Sequence, residues 1–338
     1  MNNLDLNKYT KTRILGNGAD YEVSLGENEE THKSIVFKRP NPHVILKNLH
    51  ASTENRTKNM LDFHALIGNK VRGISPIIGS ANNSDTNMHF YEDELHNDYT
   101  VIAQKRAPGF PLNADVRARI LKVPTGIGQT MFSLFPIGLS QALDIFTVPK
   151  QIMAIQTAVF EQGFIILDLN PQNVFYSPLL DTINIIDTAD IYNLNGENDN
   201  KLSNKSIFDY YIEFIRYYIA SEDIPKQIEG YTEPRGTRPY FDINIEINEL
   251  KETFLNSGIT EKMSMIDILD KIQLKAYSSI HEFNRDINAY FETIRQRWVH
   301  MDDLSTLQSV WLECLDFFKI PHWNKYDFNH ETELKKFL

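Results

Sequence analysis

The stretch Ile166-Leu167-Asp168-Leu169-Asn170-Pro171-Gln172-Asn173-Val174-Phe175 constrains this chain more than any other. It sets an Asp and an Asn five positions apart on a loop, and fourteen positions beyond Asn173 a second Asp, Asp187, ends the apolar run Ile185-Ile186. The runs from Asn173 to Tyr176 and from Ile183 to Ile186 read as a short hairpin that would present Asp187 beside Asn173. Asn173 and Asp187 each offer an oxygen to a hard cation, and Asp168 is placed to accept a proton from an attacking hydroxyl. Such a set suits magnesium and phosphate.

Far upstream, Ile14-Leu15-Gly16-Asn17-Gly18-Ala19-Asp20-Tyr21-Glu22-Val23 reads as two strands flanking a glycine turn, and the alternating Ser34-Ile35-Val36-Phe37-Lys38 reads as a third strand. Gly16, Asn17, Gly18 and Ala19 are candidate phosphate-binding residues, because glycine lets backbone amides approach phosphate oxygens closely. Lys38 can reach the same oxygens as a point charge. A lone G-x-G is an ordinary β-turn signal. The order and spacing of glycine turn, strand lysine, D-x-x-x-x-N and strand-end Asp give it weight.

In that order the motifs resemble those of the protein-kinase-like superfamily, nearest to the Ser/Thr protein kinases, with the aminoglycoside-kinase-like branch as the alternative. Lys38 in Ile35-Val36-Phe37-Lys38 matches the lysine of V-A-I-K, Asp168 and Asn173 match the Asp and Asn of H-R-D-L-x-x-x-N, and Asp187 matches the Asp of D-F-G. The resemblance covers about residues 10 to 190. It implies an α+β, two-lobed protein-kinase-like fold: a small antiparallel β-sheet lobe with one helix over 1–104, and a larger, mainly helical lobe over 105–338. It also implies ATP with its phosphates under Gly16 to Tyr21, Lys38 on the α and β oxygens, Mg²⁺ or Mn²⁺ on Asn173 and Asp187, and Asp168 as the catalytic carboxylate. A helix acid pairs with the strand lysine in such proteins, and Glu54 and Asp62 are both candidates. Gln104 lies in the stretch Ala103 to Leu112, which resembles the adenine-binding hinge and reads equally as a plain strand-to-loop exit.

The departures from the family pattern carry information. Ile166 and Leu167 stand in place of His and Arg before the catalytic Asp, so a phosphorylated activation loop would have no partner charge there. Asn170 stands where Ser/Thr kinases carry a Lys, Tyr21 where the third glycine would be, and Thr188-Ala189 where Phe-Gly would follow Asp187.

At 338 residues with 42% hydrophobic content, the chain can bury one large core or two smaller lobes. A net charge of −11 argues against nucleic acid or an anionic membrane as partner, because both demand a positive face. The lone Cys314 sits in Trp311-Leu312-Glu313-Cys314-Leu315, which reads as a buried helix face. No apolar leader follows Met1-Asn2-Asn3-Leu4-Asp5 and no run reaches membrane-spanning length, so a cytoplasmic protein is expected, with signal-less export left open.

Between the motifs, Ser52 to Gly68 reads as a helix capped by Ser52 or Thr53 with Met60, Leu61, Phe63, Leu66 and Ile67 on its apolar side. Strands are expected at Ile74 to Ile78, Met88 to Tyr91 and Tyr99 to Gln104. Residues 113 to 163 read as helical, ending with Ile152, Ile155, Val159 and Phe160 on one buried face. Phe208 to Ile219 reads as an aromatic helix. Phe283, Ile287, Tyr290, Phe291, Ile294 and Trp298 form one helical stripe, and Leu304, Leu307, Trp311 and Phe318 form another. Gly236-Thr237-Arg238-Pro239-Tyr240 is similar to the G-T-x-x-Y segment of protein kinases. The expected activity is ATP-dependent transfer of the γ-phosphoryl group to a hydroxyl, of a protein Ser/Thr foremost. A small-molecule acceptor and a pseudokinase scaffold are the alternatives, and an unidentified protein partner is left open.

Overall fold

The computed structural model describes residues 2–18, 20–67, 70–96, 98–112, 146–196, 198, 202–220, 242–299, 318–319 and 321–335. Ala19, Gly236 to Tyr240, Leu304, Leu307, Trp311, Cys314 and residues 113–145 lie outside them. The chain is mixed α+β, and it divides into two compact units, residues 1–107 with 186–191 and residues 108–185 with 192–338. No helix among the described residues is long and apolar enough to cross a membrane.

The first unit is built on a six-stranded sheet in the order β1-β5-β6-β4-β3-β2. Its strands are β1 (Asn2–Asn3), β2 (Tyr9–Asn17), β3 (Tyr21–Asn28), β4 (Ser34–Pro40), β5 (Ile77–Ala81) and β6 (Val101–Lys105). Only the β1–β5 pair is parallel. Period-two alternation decides what each face carries. Ile35 and Phe37 of β4 join Val101 and Ala103 of β6 in a core closed by Phe90 and Tyr91. Ile102 faces the other way, with Tyr21, Met60, Ile77 and Ala189. Lys38 lies opposite Ile102 and Val23 in the ladder and shares that second face.

Arg39, one residue on, necessarily takes the first face, where its Nε donates to Glu22 at 2.9 Å and its Nη1 to Asp93 at 2.5 Å. Its guanidinium lies 3.7 Å from the centre of the Tyr91 ring. Adjacent cations thus serve opposite faces of one strand.

Helix α1 (Pro42–Leu46) follows β4, and α2 (Ala51–Ile67) covers the second face. The buried positions of α2 are Thr53, Arg56, Thr57, Met60, Phe63, His64 and Ile67, a single stripe of i, i+3, i+4 spacing. Leu66, expected on that stripe, is exposed. The segment expected as a strand at Met88 to Tyr91 belongs to helix α3 (Ser84–Tyr91). There the Asn83 side chain accepts from Thr86 N and Asp85 occupies the first turn, so the cap outweighs the β preference of Phe90-Tyr91. The strand expected at Ile74 to Ile78 starts at Ile77, because Pro76 has no N–H to give and contributes only its carbonyl, to Lys105 N.

In the second unit, α4 (Thr147–Phe160) buries Ile152, Ile155 and Val159 and leads to β8 (Phe164–Ile166). Strands β9 (Val174–Ser177) and β10 (Thr182–Ile185) form the expected antiparallel hairpin, with β7 (Phe110–Pro111) on the far side of β9. Helix α5 (Ile207–Tyr218) starts with a Ser206–Asp209 capping box and buries Tyr210, Tyr211 and Phe214. Tyr211 stacks at 4.0 Å on Phe283 of α8 (Ile280–Val299), whose Ile287, Phe291 and Ile294 are also buried. Between them in sequence, α6 (Ile243–Asn256) supplies Glu246, which ion-pairs with Arg216, and α7 (Ser264–Gln273) packs on α6.

Gly109 enters β7 with φ +86°, and a Cβ there would lie 2.0 Å from the Tyr176 carbonyl oxygen. Backbone cannot yield as a side chain can. Gly109→Ala is expected to lower the urea unfolding free energy by at least about 2 kcal/mol, the sum of a left-handed penalty and the clash.

Candidate functional site

In the first unit, Lys38 is 4% exposed and its ammonium must find oxygens inside the fold. Its Nζ donates to the Ile186 carbonyl at 2.7 Å and lies 3.9 Å from Asp187 Oδ1. Asp187 keeps a third of its side chain exposed and accepts from Ala189 N at 3.0 Å, a local turn that aims the carboxylate. A strand lysine and a distant Asp, joined only by the fold, therefore meet in one cluster.

Neither helix acid pairs with Lys38. Glu54 accepts from Thr100 N at 2.9 Å and Thr100 Oγ1 at 2.8 Å, and Asp62 is exposed. The polar side chains that α2 does bury are Arg56 and His64. Ile77 N donates to His64 Nδ1 at 3.5 Å, so Nε2 carries the proton and donates to Thr188 Oγ1 at 3.0 Å. Burial first, and the Lys38 charge second, push the His64 pKa down to about 4. Arg56 ion-pairs with Asp20 and, at 3.2 Å, with Asp190. The helix thus grips the segment that follows Asp187 at two points, with a neutral ring at Thr188 and a cation at Asp190.

The glycine turn closes by Gly18 N donating to Tyr21 O at 2.8 Å, so that amide is spent internally. Asn41 braces the turn, its N donating to Asp20 O and its Nδ2 to Gly18 O, each at 2.9 Å. Gly16 lies at a register shift between β2 and β3, and a Cβ there would meet nothing within 4 Å. Asn17 ends β2 opposite Glu22. Gln104 is buried in β6 with its side chain donating to Ser75 O at 2.9 Å.

In the second unit, Leu167 and Leu169 are both buried and anchor the loop on either side of Asp168. Asp168 adopts φ +58°, a left-handed conformation that costs a non-glycine residue energy and marks a constrained position. Three amide contacts hold it. Asn173 Nδ2 donates to Asp168 O at 3.0 Å and Oδ2 at 3.3 Å, and Asn170 Nδ2 donates to Oδ1 at 2.9 Å. Because both acceptors on Asp168 require the NH₂ of Asn173, the amide orientation is fixed and Oδ1 of Asn173 faces elsewhere. The preceding strand is held by Gln156, which bonds both N and O of Ile166. From α5, Glu213 accepts from Leu169 N at 3.4 Å, and the Tyr218 hydroxyl donates to Leu169 O. Burial, then the Asp168 charge, push the Glu213 pKa up to about 8.

The sequence singles out Lys38, Asp168, Asn173 and Asp187 as candidates, and the structure brings Lys38 to Asp187 within the first unit and Asp168 to Asn173 within the second. Arg56, His64 and Gln156, which brace these segments, are not marked by any motif; their signal is a polar residue at a buried position of an otherwise regular helix, which the half-buried Glu213 does not carry. No protein-family model matches the chain, and no curated protein matches it significantly.

The two shifted groups make opposite contributions to stability against pH. His64, lowered to about 4, stabilises above its ordinary 6.5, and that contribution is lost as pH falls from 6.5 towards 4. Glu213, raised from 4.5 to about 8, favours the fold at low pH, and that contribution is lost as pH rises from 4.5 to 8. Relative to wild type, His64→Gln should gain in urea midpoint as pH drops through the first window, and Glu213→Gln as pH climbs through the second. Flat difference curves would refute these protonation states.

Proposed function

We propose that the chain is an ATP-dependent phosphotransferase of protein-kinase-like architecture, acting on a protein Ser/Thr hydroxyl. The observation that carries the reading is the Lys38 cluster: Lys38 Nζ meets the Ile186 carbonyl across 148 positions of sequence and has Asp187 as its carboxylate partner. Nothing in strand or helix formation calls for a buried lysine beside a partly exposed carboxylate, whereas binding a metal-bound polyphosphate does. The Asp168–Asn173 pair is the second support, since its hydrogen bonds fix the Asp168 carboxylate and commit the Asn173 NH₂, which leaves the amide oxygen as that side chain's acceptor.

The donor set suits a divalent cation. Asp187 brings a partly exposed carboxylate and Asn173 an amide oxygen, the hard ligands that Mg²⁺ prefers beside phosphate. Each would offer an oxygen to such an ion, which would supply charge neutralisation on the phosphate oxygens. Lys38 would bind the α and β oxygens, and Gly16 offers an unobstructed approach. Asp168 would orient the acceptor hydroxyl, whose oxygen attacks the γ-phosphorus as the bond to ADP breaks, and take its proton.

The test is mass spectrometry of the purified protein and of a lysate incubated with γ-labelled ATP and Mg²⁺ or Mn²⁺. Phosphoserine or phosphothreonine is expected, and a labelled small molecule would move the acceptor to the alternative branch. Asp168→Asn should lower turnover at least about 100-fold while nucleotide binding persists. Lys38→Met should weaken nucleotide binding. ATP bound without transfer under any divalent ion would overturn the enzymatic reading in favour of a scaffold.

A further inference from the structure

Arg56 is 7% exposed, yet it carries a charge that burial disfavours and two carboxylates hold. One, Asp20, follows the glycine turn and is 42% exposed; the other, Asp190, follows Asp187 by three positions and is 11% exposed. Both lie in the first unit with Arg56. We propose that Arg56 is a positioning residue that ties the glycine turn to the segment bearing Asp187, so that the two nucleotide-binding elements shift together. This rests on the phosphotransferase reading for its catalytic meaning, though not for the tether itself.

The tie is short at both ends. On the turn side, Asp20 O accepts from Asn41 N, and Tyr21 O closes the turn on Gly18 N, so a displaced Asp20 displaces Gly18. Beside it, the Tyr21 hydroxyl contacts Thr57 Oγ1 at 2.9 Å and Thr53 O at 3.3 Å, so α2 grips two successive residues there. On the other side, Ala189 is packed in the core next to Met60, and Thr188 is held by His64, so a displaced Asp190 is felt at Asp187 through two anchored residues. A guanidinium suits the task because its planar fork can serve two carboxylates at once, which a lysine point charge cannot. Releasing one carboxylate leaves the buried cation undercompensated and loosens its hold on the other.

Hydrogen exchange on the full chain separates this from a purely local ion pair. Asp20→Asn, whose side chain is 42% exposed and which leaves Asp190 to hold Arg56, should speed amide exchange across 186–191 by about fivefold or more while the amides of β5 and α3 keep their rates. Unchanged exchange at 186–191 would overturn the tether. In turnover assays, Arg56→Ala and Asp20→Asn should each raise the KM for MgATP about tenfold with little change in the acceptor KM, and their double variant should add nothing further. Arg56→Lys should recover only part of the loss. Should Arg56→Ala not fold, Asp20→Asn and Arg56→Lys carry the test. A wild-type KM for MgATP in these folded variants would overturn the positioning role. If the wild-type protein neither binds nor consumes ATP, the phosphotransferase reading fails, and the exchange result alone decides whether the tether exists.

Discussion

The contact between Lys38 and the Ile186–Asp187 backbone and carboxylate governs the second face of the first unit. A strand places Lys38 among Ile102, Val23 and the α2 stripe, where an unpaired ammonium would be costly. The helix offers no acid to neutralise it, since Glu54 is occupied with Thr100. The residues 186–191 therefore complete the face. Ala189 enters the core, Thr188 meets His64, Asp190 meets Arg56, and Asp187 balances the lysine. His64 is held neutral there first by burial, which disfavours a charged ring, and second by the Lys38 charge beside it.

The second unit solves a different problem. Asp168 must stand in a left-handed conformation while the apolar residues on either side of it stay buried. Gln156 secures Ile166 from α4, while Glu213 and Tyr218 secure both the N–H and the carbonyl of Leu169 from α5. Burial first, and the Asp168 charge second, raise the Glu213 pKa, so both disfavour its ionised form there.

What the sequence made legible was whatever is encoded locally. Period two in Ser34 to Lys38 fixes which face Lys38 takes, and the D-x-x-x-x-N loop with its hairpin is contained in twenty residues or so. The α2 partners were not legible, because His64 and Arg56 meet Thr188 and Asp190 across 124 and 134 positions and no local pattern encodes that distance. Glu54 was misleading: its residue type suits a lysine partner, but its place outside the buried stripe sends it to Thr100 instead. Two polar residues, Asn2 and Asn3, form a parallel edge strand that no alternation announces. At α3 a capping signal was present in Asn83-Ser84-Asp85 and was masked by the β-favouring Phe90-Tyr91 after it.

The glycine turn shows how the proposed phosphate chemistry would be apportioned. In a loop that cradles phosphate through its amides, those amides must be free, yet Gly18 N is committed to Tyr21 O and Asn41 binds two carbonyls of the same turn. The turn is stiffened at the expense of donors. Gly16 leaves open space without a left-handed φ to require glycine, so its value lies in access rather than in backbone shape. Charge on the nucleotide would then fall chiefly to Lys38 and the divalent ion, and the precision of the turn would matter through its position. That assigns the burden of placement to the groups that brace the turn, Asn41 on one side and Asp20 with Arg56 on the other.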